Sequence, residues 1–180
     1  YTDYQDLQIV RFGPVPGSDF GTFQTTNIGN ADISGVELEW GWYPTDNFRL
    51  TGNYSSLDTE VNDLILNTTG GLIDASGKVL RQAPESSYNL IAGYNFVTDA
   101  GEFDLMVEYS YQDEQSSDYI DDRIIMDEYN LIDMRLAWTS ESEKWEVALW
   151  GKNLSGEDYI SHMYVIGPGG IGVYGPPKTV

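Results

Sequence analysis

Four features of the chain could carry chemistry. Gly170-Ile171-Gly172-Val173-Tyr174-Gly175 has the glycine spacing of a dinucleotide loop. Such a loop needs a strand before it and a helix opening at it, so that backbone N–H groups face a pyrophosphate. Here Pro168-Gly169 precedes it and Pro176-Pro177 follows it, which forbids the helix, so a glycine-rich loop is expected and no cofactor. The stretch from Asp113 to Arg123 holds Asp113, Glu114, Asp118, Asp121 and Asp122. Closely spaced carboxylates can hold Ca²⁺, but the glycine and distal glutamate of an EF-hand are missing, so a solvated acidic loop is the better expectation. His162 is the single histidine and there is no cysteine, so neither a thiolate site nor a multi-histidine zinc site can be built. No serine or aspartate is spaced against His162 as a nucleophile–base–orienter set. Acidic residues are so frequent that no carboxylate pair stands out as a glycosidase dyad. The expected set of catalytic residues, cofactors and metals is empty.

Composition narrows the class further. Nine Lys+Arg stand against 29 Asp+Glu, a formal charge of −20 over 180 residues. That balance repels nucleic acid and is the wrong sign for a polybasic membrane anchor. Thirteen Tyr, five Trp and six Phe argue against disorder, and with 19 Gly they suit many strands and turns. No run approaches the ~20 apolar residues of a spanning helix, but a barrel strand needs only about ten of alternating character. Tyr1-Thr2-Asp3-Tyr4 lacks the basic start and apolar core of a signal peptide, so a signal already removed or a start inside a longer protein is expected.

The elements that would position any site are strands. Val36, Leu38, Trp40 and Trp42 alternate with Glu37, Glu39, Gly41 and Tyr43. The same period recurs through 48–55, 88–96, 103–112, 132–138 and 145–152, with less regular strands at about 2–12 and 172–180. The total is about eight strands, the last cut short, in an antiparallel up-and-down meander. Three connections are short: Pro44-Thr45-Asp46-Asn47, Thr98-Asp99-Ala100-Gly101 and Ser140-Glu141-Ser142-Glu143. Between them lie long polar segments at 60–84, 115–127 and 155–171 and a medium one at 13–21. Strict alternation of short and long puts every short turn at one end, the asymmetry of outer-membrane barrels.

Each short turn is flanked by aromatics of the apolar set: Trp42 and Phe48, Phe96 and Phe103, Trp138 and Trp145. They read as an aromatic girdle at the periplasmic interface, with Tyr54, Tyr88, Tyr109 and Tyr111 as the upper belt. The other face carries Glu37, Glu39, Arg49, Asp104, Glu108, Asp133, Arg135, Glu146 and Lys152, charges that suit a wide, wet or plugged lumen.

Four sequence words resemble strands of TonB-dependent outer-membrane receptors. They are Thr26-Asn27-Ile28-Gly29-Asn30-Ala31-Asp32-Ile33-Ser34-Gly35-Val36-Glu37-Leu38-Glu39, Ala83-Pro84-Glu85-Ser86-Ser87-Tyr88-Asn89-Leu90, Tyr129-Asn130-Leu131-Ile132-Asp133-Met134-Arg135-Leu136, and Trp145 through Leu154 followed by Asp158-Tyr159. Gly175 to Val180 resembles the start of that family's closing strand, although it stops before the terminal aromatic. The resemblance implies that residues 1–180 are the C-terminal portion of a transmembrane β-barrel of ~22 strands, with the plug domain outside this chain. It also implies a bacterial outer-membrane location and uptake of a scarce bulky nutrient such as a ferric siderophore. Energy would come from the TonB complex through the absent N-terminal region. Under that reading the partners are outer-membrane lipid, TonB and a small ligand, with no catalysis. Tyr119, Tyr159, His162 and Tyr164, in the long loops, are the expected ligand contacts. The alternatives are a complete eight-stranded outer-membrane protein with a structural or adhesive role, and a barrel lipase or protease.

Overall fold

The computed structural model describes residues 1–14, 21–27, 29–68, 70–166 and 169–180. The expected connection at 13–21 falls largely outside them. Among these residues the chain is all-β. Its strands are β1 (Thr2–Tyr4), β2 (Gln8–Pro14), β3 (Gly21–Asn27), β4 (Asn30–Thr45), β5 (Phe48–Asn62), β6 (Ile65–Thr68), β7 (Gly71–Asp74), β8 (Ser86–Thr98), β9 (Gly101–Gln112), β10 (Gln115–Ser116), β11 (Ile125–Met126), β12 (Tyr129–Thr139), β13 (Glu146–Gly151), β14 (Ile160–Ile166) and β15 (Gly169–Tyr174). Seven form one antiparallel sheet in the order β1-β4-β5-β8-β9-β12-β13. The other eight pair as four separate hairpins, β2-β3, β6-β7, β10-β11 and β14-β15. Each hairpin lies in a long connection, and all long connections leave the sheet at one end.

The register explains why alternation was so legible. Leu38, Tyr54, Tyr88 and Tyr111 are successive partners across the sheet. So are Trp42, Leu50, Ala92, Val107, Met134 and Gly151. Directly opposed residues share a face, so these rows merge into one continuous apolar surface. A slip of one residue would turn every row to the polar side. The opposite surface runs through Glu39, Asn53, Asn89 and Ser110, and through Arg49, Gly93, Met106, Arg135 and Trp150. There the Arg49 Nη1 and Nη2 both lie 3.3 Å from Asp104 Oδ2, and Arg135 Nη2 donates to Glu146 Oε1 at 3.1 Å.

The aromatic rows also pack. Phe96 stacks on Phe103 at 5.0 Å beside one short turn, and Trp42 meets Phe48 edge-on at 6.1 Å beside another. Trp138 sits opposite Phe103 and Val147, and its Nε1 donates to Ala100 O across the turn at 2.9 Å. Gly101 closes that turn at φ +126°, where a Cβ would lie 2.1 Å from Thr139 O, so only glycine fits. At the other end Tyr88 stacks on Tyr111 at 5.0 Å.

Two strand expectations are corrected. Residues 2–12 are not one strand. Asp6 takes a left-handed φ of 57°, the Leu7 amide bonds Gly29 O at 2.9 Å, and the chain leaves the sheet to form β2 and β3. Residues 172–180 are not one strand either. β15 folds back on β14, and the prolines at 176 and 177, which have no N–H, delay pairing until Thr179 exchanges two hydrogen bonds with Lys152 at 2.9 and 3.0 Å.

β4 has 16 residues, a contour of about 50 Å, which exceeds a hydrocarbon slab of ~25–30 Å even when tilted. β4 and β5 therefore continue past the slab into the zone of hairpins. The apolar core lies in that zone: Ile9, Val61, Leu64, Leu66, Ala75 and Tyr119 are buried together, with Leu7, Leu80 and Ile120 against them. The sheet itself has almost no core, and Leu149 is 71% exposed. A one-layer barrel wall has lipid on one face and lumen on the other.

Candidate functional site

A cavity of about 840 Å³ opens within the zone of hairpins. Its wall is built from five segments far apart in sequence: Leu7–Val10 with Phe23, Leu66, Leu80–Gln82, Ser117–Asp121 with Arg123 and Ile124, and His162–Tyr164. Each segment comes from a different long connection or a different part of one, so the site exists only when the hairpins pack. Leu66, Leu80, Ile120, Ile124 and Met163 supply apolar surface.

The Gln82 amide bonds Ser116 O at 2.9 Å, which ties the 80–82 segment to the acidic loop, and the Ser117 amide bonds Ile124 O at 2.9 Å within that loop. The Arg81 guanidinium lies 5.0 Å over the ring of Tyr119, and Tyr119 is 4% exposed. Gln82 has a left-handed φ of 57°, an uncommon backbone state for a residue with a Cβ. Its Nε2 lies 3.5 Å from His162 Nδ1, and the His162 ring meets Tyr164 edge-on at 4.4 Å. Ser117 is 2% exposed, and its hydroxyl has no hydrogen-bond partner among the described residues.

The acidic loop is internally bonded. The Asp118 carboxylate accepts the amides of Tyr119 at 2.9 Å and Asp121 at 3.4 Å. Asp121 accepts Arg123 Nε at 2.8 Å and Nη2 at 2.7 Å, a forked contact that holds its carboxyl down at about 2. Asp122 takes Lys78 Nζ at 2.6 Å. Among the described residues no group of three or more His, Cys, Asp or Glu side chains could hold a metal ion.

Of the four residues expected to contact ligand, Tyr119, His162 and Tyr164 line the cavity. Tyr159 does not. It stacks on Tyr129 at 4.3 Å, under Gly175, where a Cβ would lie 2.0 Å from its ring. Burial, with the nearby Asp133 charge adding to it, pushes the Tyr159 phenol above its ordinary range. The glycine-rich stretch 170–175 is not a loop: it runs through β15, and no helix opens there. Arg81, Gln82 and Ser117 escaped sequence reasoning. A signal existed for Arg81, a cation in a segment of a chain with only nine.

Comparison with known proteins places this architecture. The family model described as TonB dependent receptor-like, beta-barrel, matches residues 1–154. Three solved structures share the fold. The ferric yersiniabactin uptake receptor FyuA from Yersinia pestis has a TM-score of 0.73 at 19% identity, covering 86% of this chain and 23% of that one. The siderophore receptor PiuA from Acinetobacter baumannii has 0.70 at 19%, covering 86% and 21%. BauA, the ferric preacinetobactin receptor from Acinetobacter baumannii, has 0.66 at 17%, covering 95% and 24%. The chain thus spans about a quarter of the length of these structures, and its open sheet is an arc of a larger barrel wall. Register, loop asymmetry and this match agree: the chain belongs to the TonB-dependent receptor β-barrel family.

Proposed function

We propose that residues 1–180 form the C-terminal arc of an outer-membrane active-transport receptor that takes up a ferric siderophore with energy from TonB. The observation that carries this reading is the cavity. It lies at the long-connection end of a family wall and is built jointly by the hairpins of those connections. FyuA is described as a ferric yersiniabactin uptake receptor, PiuA as a siderophore receptor and BauA as the ferric preacinetobactin receptor, which supports iron-bearing cargo. In this reading His162 and Tyr164 touch the incoming ligand, and Tyr119, packed in the loop core beneath Arg81, supports the wall from behind. Tyr159 buttresses the junction between the β13–β14 connection and the wall. The apolar face meets outer-membrane lipid, and the plug and TonB contact belong to the region before residue 1.

The test is deletion of the gene for the full-length protein, followed by uptake of radiolabelled iron presented on purified siderophores under chelator-imposed iron starvation. The expected result is loss of accumulation for one siderophore class, reproduced by deleting TonB and restored by complementation. Unchanged accumulation for every siderophore, or uptake indifferent to TonB, would overturn the proposal.

A further inference from the structure

Imidazole and phenol are both donors to ferric iron, and the cavity wall sets one of each side by side. His162, the single histidine of the chain, and Tyr164 stand two residues apart on β14, opposite Val173 and Ile171 of β15, so both side chains leave one face of that hairpin. Their rings meet edge-on at 4.4 Å, both line the cavity, and Tyr164 is 54% exposed while His162 is half-buried. Gln82 flanks the imidazole: its side-chain amide lies 3.5 Å from His162 Nδ1, and its backbone is held by the bond to Ser116 O at 2.9 Å. An amide that turns its oxygen to Nδ1 keeps the ring proton there and leaves Nε2 free to bind a metal.

We infer that His162 Nε2 and Tyr164 Oη complete the coordination shell of a ferric chelate whose own donors leave two adjacent positions open. Two donors cannot hold a bare ion, and among the described residues no group of three or more His, Cys, Asp or Glu side chains could supply the rest. The chelator therefore brings four donors and the protein two. Adjacent ligands about 2.1 Å from an octahedral ion lie about 3 Å apart, a spacing within reach of two ring side chains whose centres are 4.4 Å apart. Binding exchanges ligands with no change of oxidation state. Two Fe–O bonds to water break, the Fe–Nε2 and Fe–Oη bonds form, and the Tyr164 phenol proton passes to solvent. Charge does not make the selection, because Arg81 and Arg123 in the wall stand against Asp118 and Asp121. The volume of about 840 Å³ suits a small chelate. This assignment rests on the transport reading and deepens it, by naming a four-donor ferric chelate as the cargo class in place of a saturated six-donor one.

The test titrates the full-length receptor in detergent micelles with ferric nitrilotriacetate, a four-donor chelate, and follows the visible charge-transfer band of a phenolate bound to ferric iron. Ferric ethylenediaminetetraacetate, with six donors, is the comparator. The four-donor chelate is expected to give a saturable band and the comparator none. Y164F should abolish the band. H162A should keep it and weaken binding by at least about tenfold, the scale seen when even a group that only orients a metal ligand is removed. Hydrogen exchange at residues 61–78 serves as a folding control and should not change in either variant. No band, a band that survives Y164F, undiminished binding in H162A, or an equal band from the six-donor chelate would each overturn the assignment. Iron accumulation in the deletion strain decides the transport reading separately: uptake that depends on the receptor and on TonB, without any band, leaves transport standing and removes the coordination.

Discussion

Truncating Leu64 to alanine should open the loop core and leave the barrel wall closed. Leu64 is 0% exposed and packs with Val61, Leu66, Ala75 and Tyr119. Its carbonyl accepts the Ala75 amide at 2.8 Å and its amide donates to Ser76 Oγ at 3.0 Å. Leu64→Ala removes about three carbons, worth about 2.5 kcal/mol of transfer free energy at ~0.8 kcal/mol each. The void left behind raises the cost to about 3 kcal/mol. A local opening equilibrium shifted by that amount speeds amide exchange by roughly 150-fold, at 1.4 kcal/mol per factor of ten. Where the loop core itself is stable by less than this, protection there disappears. The assay is hydrogen–deuterium exchange with mass spectrometry on the full-length receptor in micelles. Peptides covering Val61–Lys78 and Ser117–Ile124 should exchange faster, because both contribute to the same cluster. Peptides within β8, β9 and β12 should be unchanged, since their ladder bonds run strand to strand and touch none of these side chains. Equal acceleration in the wall would refute the separation of loop core from sheet. No acceleration at 117–124 would refute the packing of Tyr119 into it.

Other outcomes are equally specific. Gly175→Ala should displace Tyr159 from Tyr129, because the new Cβ would lie 2.0 Å from the Tyr159 ring; ring-current shifts of selectively labelled tyrosine report it, with unaltered shifts counting against the contact. The Asp121 carboxyl should stay ionised from its ordinary 3.8 down to about 2. Its folded-state value is depressed, so the contact with Arg123 is fully present above 3.8 and is lost as pH falls through about 2. A ¹³C-carboxyl titration should show that midpoint, and Arg123→Gln should return it toward 3.8. Arg49→Met breaks a half-exposed pair with Asp104 and should cost no more than about 1 kcal/mol in urea unfolding; a larger loss would mean the inner wall depends on that pair. Tryptophans 42, 138 and 145 should be quenched by lipid brominated near the headgroup more than by lipid brominated at mid-chain; the reverse order would place the girdle at the wrong depth.

How much was visible in the sequence follows from what each feature depends on. Alternation is a property of the chain alone, because successive side chains of a strand point to opposite faces. Hence the wall strands, the apolar and polar faces and the short turns at 44–47, 98–101 and 140–143 could be read directly, and the register carries those faces across the sheet without a slip at any wall pairing except the β4–β5 turn. The ends of strands were less legible. β4 and β5 run on past the apolar stretch into polar residues, where pairing with each other, as in Asp32 with Glu60, and of β4 with β1, as in Asp32 with Asp3, keeps them extended. The departure at Asp6 and the late pairing at Thr179 depend on partners distant in sequence.

The site divides along the same line. Tyr119, His162 and Tyr164 could be picked out by residue type and by membership in long connections, and the tertiary structure gathers them at one cavity. Nothing in their spacing shows that Arg81 lies over Tyr119 or that Ser117 is buried with no partner among the described residues. Those facts are set by the packing of hairpins from separate connections around Val61 and Leu64. A strand's period is local and survives in the sequence, whereas a pocket between loops exists only after the loops have buried each other's apolar side chains. By itself the chain determined a membrane wall and its two ends; only the folded hairpins decided which residues face the same empty space.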